Sequence, residues 1–79
     1  MRGLNHRIAY ARAKVLAIFS TDQEKLDDIF FSIALNAEEQ GVTDYRNGLD
    51  TCPLLFKGVK LLVQRWKQGW DYGEVLADL

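Results

Sequence analysis

Histidine, cysteine and neighbouring carboxylates are the side chains with which a short chain does chemistry, and here they stand apart from one another. Nucleophilic catalysis needs a base within reach of the nucleophile, and a protein metal site needs at least three ligands. His6 is the single histidine, close to the N-terminus, with no second ligand following it at metal spacing. Cys52 is the single cysteine and precedes Pro53. At a helix N-terminus its thiolate would be favoured by the helix dipole. Without a base or a second thiol beside it, a small apolar residue in a first helical turn is the simpler role. Asp27 and Asp28 look like a divalent-ion pair until they are placed on a helix, where adjacent side chains do not share a face. These residues point to no catalytic residue, no cofactor and no metal. Function is expected to rest on surfaces.

The charge comes in blocks. Residues 1–21 carry Arg2, Arg7, Arg12 and Lys14 with no acid, residues 22–39 carry six acids against Lys25, residues 57–67 are basic again and 71–78 acidic. Such blocks can pair inside one small bundle or be read by outside partners. The formal net charge of −1 argues against nucleic-acid binding through overall charge. With 48% hydrophobic residues and one proline the composition is that of a folding chain, and 79 residues suit a single domain. A domain of this size buries only about 60% of its unfolded surface, so a homodimer is a natural reinforcement. One cysteine fits a reducing compartment, and the cytoplasm is the expected location. The acid-free start shares its composition with a mitochondrial-type presequence, but it also supplies a good first helix, which is the reading taken. No stretch approaches the ~18 apolar residues of a spanning helix, so no membrane role is expected.

Punctuation and periodicity together predict an all-α, compact bundle of four helices at about 5–19, 22–40, 52–68 and 72–78, with a loop at 42–50. The first, capped by Asn5, gathers Ile8, Val15, Leu16, Ile18 and Phe19 on one side as its core face. Arg12 falls inside that arc and calls for a partner, while Ala9, Ala13 and Ala17 line up at four-residue spacing and would let another helix approach closely. Thr21-Asp22-Gln23-Glu24 reads as a capping box for the second helix, which carries Leu26, Ile29, Phe30, Ile33, Ala34 and Ala37 inward and stops at Gly41. Pro53 opens the third and Gly69 closes it. Its apolar face is broad enough to put it at the centre of the bundle. Asp71 and Glu74 cap the fourth, Trp70 staples onto Val75, and Tyr72, Val75, Leu76 and Leu79 close one end of the core.

Two kinds of surface remain. Phe31 and Leu35 lie one turn apart on the side of the second helix that also bears Glu24, Asp27, Asp28 and Glu38. A large apolar pair ringed by acids suits a basic amphipathic partner or a second copy of the chain, unless the fourth helix or the loop, with Tyr45 and Leu49, folds over it. The alternative is a nucleic-acid face built from Arg7, Tyr10 and Lys14 on the first helix, or from Lys57, Lys60 and Lys67 on the third. Both short helix–helix junctions lead into acidic helices, which DNA would repel, so nucleic acid is the weaker expectation. The leading reading is a non-enzymatic protein-interaction or regulatory module. Its size class includes antitoxins and phage or mobile-element inhibitors, an association that rests on size alone.

Overall fold

A computed structural model describes residues 2–78, which form three α-helices and one 3₁₀ turn and include no strand. Helix α1 spans Leu4–Phe19, α2 spans Gln23–Arg46 and α3 spans Lys60–Ala77, with the 3₁₀ turn at Leu54–Phe56. The all-α class stands, but the four-helix count does not. Of three departures, each at a glycine or proline, the one at Gly69 changes the count and the other two move helix ends.

Gly41 does not stop α2. The helix runs on to Arg46 and ends where Asn47-Gly48 supplies the turn, with Gly48 in the left-handed region at φ 75° and the Leu49 amide donating to the Asp44 carbonyl at 2.8 Å. The expected 42–50 loop is therefore half helix. Gly69 does not stop the next helix either, so the expected third and fourth helices are one continuous α3. Both glycines lie where α2 and α3 cross: a Cβ at Gly41 would overlap the Trp66 carbonyl, and one at Gly69 the Glu38 carbonyl. A glycine inside a helix costs about 1 kcal/mol relative to alanine, which the close contact of two backbones offsets. With no break at Gly69, Asp71 and Glu74 cap nothing and Trp70 serves no N-terminal staple.

The third departure is the start of α3. Pro53 precedes the 3₁₀ turn, Gly58 follows it at φ 84°, and the α-helix begins only at Lys60. Smaller shifts occur elsewhere. Gly3, and not Asn5, is the N-cap of α1. Asp22 replaces Thr21 as the cap of α2, accepting from the Lys25 amide at 3.1 Å, so the expected box with Glu24 is not made.

Helix α2 is the central element, with α1 and α3 packed against it, which displaces the third segment from the place expected for it. The core joins Ala13 of α1, Ile33 and Ala37 of α2, Phe56 of the turn, and Val59, Leu62 and Trp66 at and within α3. The expected stripe of α2 holds: Leu26, Ile33, Ala34 and Ala37 are buried, Ile29 and Phe30 half-buried. Burial of Phe56 and Leu62, both fully enclosed, contributes about 1.5–3 kcal/mol each. The expected closing residues Tyr72, Val75 and Leu76 are exposed instead, and Leu79 lies outside the described residues.

Helix α1 is turned the other way from its expected orientation. Its buried or half-buried side is His6, Ala9, Tyr10 and Ala13, at helical spacing, while Ile8, Val15, Leu16, Ile18 and Phe19 are exposed. Contacts near its N-terminus fix this rotation. The His6 Nε2 donates to the Asn36 carbonyl of α2 at 3.1 Å, and the Tyr10 ring meets Phe30 edge-on with centroids 6.0 Å apart. Arg2, just ahead of the helix, is held at the far end of α2. Alanines at 9 and 13 then allow the close approach expected of them, to a helix of the same chain.

Candidate functional site

The acidic face of α2 is open. Phe31 is 59% exposed and Leu35 40%, and Glu24, Asp27 and Asp28 are exposed around them. Neither candidate cover reaches the pair: Tyr45 packs edge-on against Trp70 at 5.0 Å and fills the space beside Gly73, and the Trp70 indole donates to the Leu49 carbonyl at 2.8 Å. Glu38 belongs to this face by spacing but is engaged elsewhere, half-buried and paired with Arg65 of α3 at 3.1 Å. Asp27 accepts from Gln23 one turn earlier at 2.8 Å and remains exposed.

A second open face consists of Ile8, Val15, Leu16, Ile18 and Phe19, which periodicity places in the core, together with Leu4 and Ala11. Leu4, Ile8, Ala11, Val15 and Ile18 follow each other at spacings of four and three, forming a continuous stripe on the outer side of α1, and Leu16 and Phe19 widen it toward the C-terminal end. Ile18 and Phe19 are 77% and 81% exposed. Arg12 lies exposed beside Val15 and Leu16, where the arc that was expected to bury it faces solvent. Large apolar side chains in such a row are unusual on a monomer surface.

The basic residues of the nucleic-acid alternative do not form one patch with a free ring. Tyr10 is half-buried against Phe30, so its face is not offered for base stacking, while Arg7 is half-buried and Lys14 exposed. Lys60 and Lys67 are exposed on α3, but Lys57 precedes that helix, in the linker that ends the 3₁₀ turn.

One buried polar centre has no counterpart among the expectations from sequence. Asp44 is 1% exposed, and its carboxylate accepts from the Trp66 indole at 2.7 Å and from the Gln40 amide at 2.8 Å. The Arg2 Nη1 approaches it at 3.3 Å as a charge contact without hydrogen-bond geometry, and Nη2 donates to the Thr51 carbonyl at 2.7 Å. The N-terminal segment, α2 and α3 meet at this carboxylate, and Arg2 extends the contact to Thr51, so it is a clamp. The signal was present: Asp44 continues the buried register of Ile33 and Ala37, once α2 is allowed to pass Gly41.

Cys52 is half-buried, near Trp66 and Trp70, in the linker before Pro53 and the 3₁₀ turn, so no α-helix N-terminus activates it. Burial pushes its thiol above the usual range, Asp44 adds to this, and Arg2 and Lys57 oppose it. That shift favours the unreactive thiol. His6 has no acid or thiol at metal spacing, and its ring packs edge-on against Phe56 at 5.4 Å. Among the described residues no three His, Cys, Asp or Glu side chains are grouped to hold a metal, and no helix is long and apolar enough to cross a membrane. The chain matches no family model, no curated protein and no solved structure.

Proposed function

We propose that this chain is a non-enzymatic protein-interaction module of regulatory type that acts by surface binding in a reducing, cytoplasmic compartment. The observation that carries the reading is the outward stripe of α1, where the large apolar residues face solvent while alanines do the packing inside. A helix held in that rotation by Arg2 and His6 keeps apolar surface available at a cost that a partner removes. Phe31 and Leu35, ringed by Glu24, Asp27 and Asp28, supply a second contact area of opposite charge. The small size suits a protein that blocks or tethers a larger one, as an inhibitor or antitoxin would, and that finer role is proposed on size alone. A photo-crosslinking side chain at Val15, in the native host, should trap a discrete protein species that the same side chain at the exposed polar Gln64 does not. Equal trapping at both positions would end this reading.

A further inference from the structure

The sequence blocks of opposite charge neutralise each other only in small part within the chain. Among the described residues the ion pairs are Arg2 with Asp44 and Arg65 with Glu38, which leaves Arg12 and Lys14 of α1, and Glu24, Asp27 and Asp28 of α2, exposed and without such a pair. The reason is geometric. At about 100° per residue, Phe31 and Leu35 lie roughly 140–180° around α2 from Ile33 and Gln40, the side that α1 covers. The acids at 24, 27 and 28 share the Phe31 side. The apolar stripe of α1, with Arg12 and Lys14 flanking it, faces away from α2 altogether. An extended apolar stripe with basic flanks and a smaller apolar pair ringed by acids therefore stand on opposite sides of one flat molecule measuring 44 × 25 × 16 Å.

We infer that the occupant of the α1 stripe is the Phe31/Leu35 face of a second copy of this chain, so that copies associate head to tail. This deepens the interaction-module reading and rests on it. Charge complementarity selects the pairing: α1 against α1 would bring Arg7, Arg12 and Lys14 near their own copies with no acid in residues 1–21 to relieve them, whereas α1 against α2 sets them opposite Glu24, Asp27 and Asp28. The smaller face, Phe31 and Leu35 with the acids around them, sets the area of the contact, which places it among the small, weak interfaces whose population depends on concentration. A net charge of −1 sets little overall repulsion between copies. Because the two faces are different and opposed, the contact is heterologous, and it continues into a ring or an open chain instead of closing as a two-fold dimer.

Sedimentation velocity over a range of concentrations tests this with three proteins: wild type, Val15→Asp/Ile18→Asp on α1, and Phe31→Ser/Leu35→Ser on α2. Wild type should grow beyond a dimer with concentration and weaken roughly tenfold or more when salt is raised to about 0.5 M. Each variant alone should be monomeric, and their equimolar mixture should stop at a one-to-one dimer, since each retains one working face. Charge reversal covers the case in which an apolar substitution disturbs folding: Arg12→Glu/Lys14→Glu and Asp27→Lys/Asp28→Lys should each lose self-association and regain it when mixed. Self-association of the Phe31→Ser/Leu35→Ser variant would assign the contact to α1 against α1 and overturn the inference. So would a wild type that is monomeric throughout, or one that binds vesicles containing about a third phosphatidylserine through α1 without self-associating. A monomeric wild type that still crosslinks another protein at Val15 would overturn the second-copy occupant alone and leave the interaction reading in place.

Discussion

At the scale of single residues, Asp44 has the most to lose. Removing a buried acceptor leaves its donors unpaired in a low-dielectric interior, and here those donors include the Trp66 indole and the Gln40 amide, with the Arg2 charge beside them. Asp44→Ala should lower stability by about 2–4 kcal/mol in urea titration. Asp44→Asn, which keeps one acceptor, should cost less, and a loss below about 1 kcal/mol for the alanine variant would mean that the clamp contributes little. Cys52 behaves in the opposite sense to a reactive thiol. Its pKa is raised in the folded chain, so the folded state favours the protonated form; that preference is fully present below the unfolded thiol range and is lost as pH rises through the raised value. At pH 8, alkylation by iodoacetamide should be slower in the folded protein than in the urea-unfolded chain. Equal rates in the two states would contradict both the burial and the shift.

At the scale of elements, glycine and alanine decide where helices end and which way they face. In an exposed helix Gly→Ala gains about 1 kcal/mol. At Gly69 and Gly41 the added methyl group meets backbone of the opposite helix, which has no rotamer to adjust. Gly69→Ala should therefore destabilise by roughly 3 kcal/mol or more, measured by chemical denaturation, and a stabilised variant would refute the close α2–α3 crossing. The contrasting expectation concerns α1. Val15→Ser/Ile18→Ser should change monomer stability by less than about 0.5 kcal/mol at low concentration, since neither side chain is in the core. Ala13→Leu, on the buried side, should cost about 1–3 kcal/mol through overpacking.

At the scale of the whole molecule, a thin arrangement of three helices has too little depth to cover both sides of every helix, and α1 and α2 each retain an uncovered apolar strip. Association would remove part of that surface from water and link stability to concentration by mass action. The melting temperature of the wild type should accordingly rise by a few degrees between about 5 and 500 μM, while that of Phe31→Ser/Leu35→Ser stays constant. Calorimetric scans at the two concentrations check this, and a wild-type value independent of concentration would count against the head-to-tail contact.

The sequence alone determined what depends on near neighbours along the chain. The 3.6-residue period marked α1 and the inward stripe Leu26, Ile33, Ala34 and Ala37 of α2, and the same period set Phe31 and Leu35 among the acids at 24, 27 and 28. Tertiary structure decided what depends on neighbours distant in sequence. Gly41 and Gly69 look like stop signals locally, and become crossing points only because two backbones meet there. Helix α1 offers two faces to the core, one large and apolar and one of alanines with His6 and Tyr10. Periodicity favours the first, but Arg2 held at Asp44 and Thr51, and His6 at Asn36, turn the second inward. Hydrophobic pattern measures how apolar a face is, whereas the face that packs is chosen by contacts 30 to 49 residues away in the chain, and those leave no periodic trace in the sequence.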